Sequence, residues 1–160
     1  MKTYIGIDNG VSGSIGVINV VKNVFQKTPV ISELDYTKEK KNITRLNFSE
    51  LFSLLSVYNK ENVLVALERP MVFPGRWVAT LSAIRCHEAT LVTLNCLEFP
   101  YIFIDSKEWQ KELLPKNCSK EELKEASLDI GNKLFPEFRD VKHPDRDAIL
   151  IAEYCKRKGL

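Results

Sequence analysis

The chain has 160 residues, 44% of them hydrophobic and 28% charged, with a formal net charge of +2. That length fits one domain with a core of its own, and the composition excludes a disordered chain. With so small a net charge, any nucleic-acid role must lie in where the charges sit and not in their sum. Cys86, Cys96, Cys118 and Cys155 are too scattered for a CxxC pair, which excludes a zinc ribbon or a disulfide framework and predicts reduced thiols in a cytoplasmic protein. The opening MKTYIGIDNG lacks the apolar core and cleavage site of a signal peptide. No apolar run reaches the ~18–20 residues needed to span a bilayer, so no membrane partner is expected.

Tyr4 to Ile7 is apolar and β-prone, Asn9-Gly10 and Ser12-Gly13 are turn chemistry, and Ile15 to Val21 is apolar again, which predicts a hairpin. A third strand is expected over Pro29 to Asp35, then a solvated loop from Thr37 to Asn42. Phe48, Leu51, Phe52, Leu55 and Tyr58 follow helical spacing, with Asn47 or Ser49 as N-cap. Val63 to Leu67 is a continuous apolar run, as in a strand covered on both faces, and it stops at Glu68-Arg69-Pro70. A long helix is expected from Arg76 to Leu97, burying Val78, Leu81, Ile84, Ala89, Val92 and Cys96. A strand follows over Phe99 to Ile104, then a short helix capped by Ser106. Ser119 and Glu122 form a capping box that opens a helix to Leu134, and Pro144 is placed at the first turn of a last helix. No repeat, low-complexity tract or linker divides the chain, so one domain spans 1–160. The expected architecture is α/β: a mixed five-stranded sheet, antiparallel in its first three strands, with helices on both faces. That is the element order of the RNase H-like fold.

Asp8 ends the first strand and Glu68 the fourth, while Asp145 and Asp147 are expected in the first turn of the last helix beside His143. Each has an ordinary explanation as turn residue, surface pair or helix-dipole partner. What they share is a position where a regular apolar element runs out. If the strands of Asp8 and Glu68 are neighbours, their carboxylates converge, and the last helix can bring its N-terminus to the same point. Such acids repel one another unless cations lie between them, and oxygen-only sites suit Mg²⁺ or Mn²⁺. Two such ions ~4 Å apart clamp a phosphodiester for hydrolysis.

Three segments carry a family resemblance: Tyr4 to Val17 (YIGIDNGVSGSIGV), Ala66-Leu-Glu-Arg-Pro70, and Asp147 to Tyr154 (DAILIAEY). Together they resemble the RuvC family of the RNase H-like superfamily, and most closely its short bacteriophage members. Lys124 to Ser127 and Leu134-Phe-Pro136 are similar to the same group. The resemblance implies a metal-dependent endodeoxyribonuclease that resolves four-way (Holliday) or other branched DNA in recombination and repair. It assigns the catalytic metal ligands to Asp8, Glu68 and Asp147, with two Mg²⁺ per site, replaceable by Mn²⁺, and no small-molecule cofactor. A fourth ligand one turn before the last acid falls on Pro144 or His143, so His143 and Asp145 both stand as candidates. Lys124 is implied as a catalytic basic residue near the scissile phosphate.

Lys107, Lys111, Lys116, Lys120 and Lys124 recur beside Trp109, diluted by glutamates. Read as a DNA face, Lys107, Lys111 and Lys124 contact phosphates with Trp109 packed beneath. Arg76 and Trp77 follow the fourth strand at a distance suited to gripping a DNA arm, although a core position is the stronger expectation for Trp77. Paired cuts on a four-way junction imply a two-fold homodimer with the long helix at or near its interface. A ribonuclease H or a broader structure-selective nuclease shares the same metal chemistry. The first motif also resembles the phosphate hairpin of actin-like ATPases, which need a second such domain. The family implies a bacterial or phage-infected host cytoplasm.

Overall fold

Two glycines standing opposite each other decide how this fold closes. A computed structural model describes residues 2–36, 38 and 40–160, with only the backbone described for Lys120. Strands β1 (Thr3–Asp8), β2 (Ser14–Ile18) and β3 (Val24–Lys27) form an antiparallel meander. β6 (Val63–Glu68) then runs parallel beside β1, and β7 (Tyr101–Ile104) parallel beside β6. The result is one five-stranded sheet of order β3-β2-β1-β6-β7. A two-stranded ribbon, β4 (Val30–Leu34) and β5 (Asn42–Leu46), stands apart from it.

One face of the sheet presents Ile5, Ile7, Ile15, Val17, Val65 and Leu67 to α1 (Phe48–Leu55) and α2 (Trp77–Cys96). The other face receives α5 (Asp147–Lys158), flanked by α3 (Ser106–Leu113) and α4 (Lys120–Leu134). β6 is buried on both faces, as its unbroken apolar run requires.

Gly6 pairs with Gly16 across β1 and β2, and Gly6 with Ala66 across β1 and β6. A Cβ on Gly6 would collide with the Ala148 carbonyl and the Ala152 amide, and one on Gly16 with the Ile149 backbone. This row of missing side chains lets the α5 backbone lie directly on the sheet, with its N-terminus over the end of β1.

Several expectations are corrected. The third strand is Val24–Lys27, not Pro29 to Asp35. Asn19 accepts the Val21 amide at 2.9 Å and turns the chain early, so β2 ends at Ile18 and leaves Val21 90% exposed. Pro29, without an N–H, breaks the ladder, and Val30–Leu34 pairs with Asn42–Leu46 in the ribbon. Of the loop expected at 37–42, residues 37 and 39 lie outside the described residues; Lys38, Lys40 and Lys41 are exposed, and Asn42 belongs to β5. The last helix begins at Asp147, so Pro144 and Asp145 precede it. α2 buries Thr80, Cys86, Thr90, Thr93 and Leu94, while Val78, Ile84 and Val92 face outward. Threonines serve as its core face because Thr90 and Thr93 return their hydroxyls to the carbonyls of Cys86 and Ala89. Asn47 is the N-cap of α1, accepting from the Glu50 amide at 3.2 Å. The capping box of Ser119 and Glu122 is present.

Gly6→Ala should therefore force α5 off the sheet, at a cost of about 1–3 kcal/mol or more. A urea midpoint equal to that of the parent would contradict this packing.

Candidate active site

β1 and β6 are parallel neighbours in register from Thr3–Val63 to Ile7–Leu67, so Asp8 and Glu68 leave the sheet side by side at one end. α5 delivers Asp147 to the same place. Among the described residues, Asp8, Asp145 and Asp147 each offer a carboxylate oxygen within 4.8 Å of the others. Glu68 adjoins this trio through a hydrogen bond to Asp8.

The acids are held in a costly state. Burial pushes the Asp8 carboxyl well above the ordinary carboxylate range, and the neighbouring charges of Glu68, Asp147 and Asp145 push it further. Burial likewise raises Asp147 to about 7, reinforced by Asp145 and Glu68 and opposed by Ser127 and Lys124. Oxygen donors crowded so closely that burial and mutual repulsion raise two of them are donors that fit a hard divalent cation.

A supporting layer fixes Glu68, Asp147 and Asp145. Trp109, fully buried, donates its indole N–H to Glu68 at 3.2 Å. Ser127, buried on α4, donates its hydroxyl to Asp147 and accepts the Arg146 amide at 3.1 Å. Asp145 accepts the Asp147 amide at 3.4 Å and lies 3.2 Å from His143 Nδ1. His143 is itself buried, edge-on to Phe25 and hydrogen-bonded to the Ser12 backbone. Its hydrogen bond to Asp145 raises the imidazole above its ordinary value, against the opposing effect of burial.

The expected site residues thus fall into groups. Asp8, Glu68, Asp145 and Asp147 come together, and His143 stands behind Asp145. Lys124, exposed on α4, acts electrostatically on Asp147 and so faces the acids. Lys107, Lys111 and Lys116 line one open groove of ≈ 490 Å³ floored by Leu114 and Leu123. Trp109 lies below the level of these lysines but is tied to the acids. The side chain of Lys120 lies outside the described residues. Arg76 precedes α2 and is exposed; Trp77 is 67% exposed, which corrects its expected core position, because α2 turns its threonine face inward. Arg69 pairs with Asp105 at 3.1 Å, which leaves Glu68 to the acidic centre. Ser127 and Arg146 were not singled out from the residues. Ser127 lies three residues after Lys124, hence on the same helical face, and it ends the Lys124 to Ser127 segment that shares the family resemblance.

No family model and no curated protein matches the chain. Solved structures do. The RuvC of T. thermophilus in complex with a Holliday junction substrate superposes with a TM-score of 0.64 at 14% identity, over 99% of this chain and 97% of that one. A second structure of Thermus thermophilus RuvC gives 0.58 at 15% identity, over 98% and 96%. The fold is RNase H-like. The antiparallel β1–β3 meander and the helix-covered parallel strands carry that likeness across nearly the whole chain. Among the described residues, no helix is long and apolar enough to cross a membrane, and the four cysteines are free.

A pH dependence follows. Asp8, Asp147 and His143 all have raised values in the folded state, so each of them binds its proton more tightly there than in the unfolded chain, while burial shifts His87 the other way. The associated stability is present at low pH and is lost as pH rises; for Asp147 the loss runs between its ordinary 3.8 and about 7. Without metal, the melting temperature should fall from about pH 5 to about pH 8. Mn²⁺ at about 100 times its Kd should add about 2.7 kcal/mol, roughly 5–10 °C, at the higher pH and less at the lower. A Mn²⁺ shift that is equal at both values would remove these acids from the binding site.

Proposed function

We propose that the chain is a divalent-metal-dependent endodeoxyribonuclease that cuts branched DNA, with the four-way junction as its substrate. The observation that carries this reading is the convergence of Asp8, Glu68, Asp145 and Asp147 where two parallel strands and one helix end together. The similarity in fold to a RuvC captured with a Holliday junction supports the choice of substrate.

In this reading Asp8, Glu68, Asp145 and Asp147 hold Mg²⁺, with Mn²⁺ able to replace it. Bound divalent cations supply charge stabilisation for the phosphodiester and lower the pKa of the attacking water. The remaining work belongs to the side chains. Trp109 holds Glu68 and Ser127 holds Asp147, so the donors meet a cation already oriented. His143 acts as the partner that orients Asp145, since its Nδ1 is engaged there and its ring is hydrogen-bonded to the Ser12 backbone. Lys124 supplies positive charge beside the scissile phosphate. Lys107, Lys111 and Arg76 hold the phosphates of the DNA arms.

The reading includes a homodimer. Trp77, Val78, Ile84 and Val92 are 67%, 82%, 38% and 51% exposed on one helix, an apolar surface of the kind that marks an interface. Two active sites related by a two-fold axis cut opposing strands of a junction.

Cleavage should be confined to a synthetic four-way junction when it is offered beside a duplex, a flap and an RNA–DNA hybrid with Mg²⁺. Preference for the hybrid would replace this substrate with that of a ribonuclease H. Asp8→Asn should lower the cutting rate about a thousandfold or more while junction binding survives, since several kcal/mol of charge stabilisation leave with the metal. Val78→Glu combined with Val92→Glu should give a monomer by light scattering; an unchanged dimer would move the interface off this helix.

A further inference from the structure

Arg146 stands between two of the clustered acids, yet its guanidinium does not join them. The side chain is 1% exposed and all five of its N–H groups are matched. Nε donates to Asn132 Oδ1 at 3.0 Å. Nη1 donates to the carbonyls of His143 at 3.2 Å and Asp145 at 2.8 Å. Nη2 donates to those of Phe138 at 2.8 Å and Val141 at 3.0 Å. The Phe25 ring lies 5.0 Å beneath the charge. On α4, Gly131 leaves the space this side chain fills, because a Cβ there would collide with Cβ and Cγ of Arg146.

A buried cation held by neutral carbonyls is a costly way to fill a core, and an apolar side chain would fill it at lower cost. What the guanidinium achieves is geometric. Its fork gathers four carbonyls of the irregular segment 138–145 onto one rigid plane, including those of His143 and Asp145. Its own amide is held by Ser127, whose hydroxyl reaches Asp147. Asp145 is therefore fixed through the side chain of Arg146, and Asp147 through its backbone.

We propose that Arg146 is the positioning residue that sets the spacing between Asp145 and Asp147, and so the affinity of the acidic centre for its divalent cation. The proposal rests on the reading of those acids as a metal site. Lysine in its place keeps the charge but loses the fork, so it cannot hold several carbonyls in one plane. A residue that only cemented the loop would change stability and leave metal affinity alone.

The test uses the full chain, with Arg146→Lys and the milder Asn132→Ala, which removes one acceptor of the fork. Mn²⁺ binding is titrated by the EPR signal of the free ion without DNA, beside junction binding in EDTA and cleavage at rising Mn²⁺. Arg146→Lys should weaken Mn²⁺ binding about 10–100-fold and Asn132→Ala about threefold. The Mn²⁺ needed for half-maximal cleavage should rise in parallel, with junction binding unchanged. Either folded variant with the parental Mn²⁺ affinity overturns the proposal, and Asn132→Ala decides alone if Arg146→Lys does not fold. A parent chain that takes up Mn²⁺ but cuts no junction sinks the nuclease reading, and the EPR comparison still judges Arg146. A parent chain that takes up no Mn²⁺ overturns both.

Discussion

The contact on which everything else depends is that between the α5 backbone and the paired glycines of β1 and β2. A helix packed on a sheet through ordinary side chains stands about 10 Å away, which would hold its N-terminus clear of the strand ends. With Gly6 and Gly16 opposite each other and Ala66 beside them, no side chains intervene, and the helix settles onto the strands. Asp147, its first residue, then meets Asp8 at the end of β1. The same closeness gives Ala148, Ile149, Leu150, Ile151 and Ala152 complete burial, so one contact supplies both core and site.

That closeness has an electrostatic cost which the neighbouring residues manage and do not remove. Four acids gathered at one point repel one another, and burial together with that repulsion raises the carboxyls of Asp8 and Asp147. Neutralisation by arginine would quench the repulsion and occupy the site. Instead the adjacent cations are directed elsewhere: Arg69 to Asp105, and Arg146 to backbone carbonyls and Asn132. Besides His143 at Asp145 and the charge of Lys124 facing Asp147, the acids are met by single hydrogen-bond donors, the indole of Trp109 at Glu68 and the hydroxyl of Ser127 at Asp147. These orient an oxygen without satisfying its charge.

Much of this was legible in the chain itself. Apolar runs bounded by turn residues, helical spacing and capping residues located four of the five sheet strands and all five helices. The acids ending β1 and β6 were visible as charges at the close of apolar runs. What escaped was decided by single side chains or by tertiary contact. Asn19 ended β2 early and displaced the third strand to Val24–Lys27. Hydropathy placed Ala89 on the inner side of α2 but wrongly added Val78, Ile84, Val92 and Cys96, because threonines that hydrogen-bond their own helix can line a core. The role of Trp109 depends on a partner 41 residues away, and that of Arg146 on Asn132, Ser127 and the distant Phe25, which no local pattern can display.

α4 shows how these constraints combine. Lys124, Ser127 and Gly131 lie at intervals of three and four, so one stripe of the helix carries the charge facing Asp147, the hydroxyl bonded to it and the gap that admits Arg146. The register of that stripe is set at the helix start, where Ser119 and Glu122 close a capping box that fixes which residue begins the first turn. A shift of one residue would turn the stripe by about 100° and separate all three groups from α5 at once. The cap touches none of the groups on the stripe but belongs to the same geometric requirement. The site is specified as much by where α4 begins as by the carboxylates themselves.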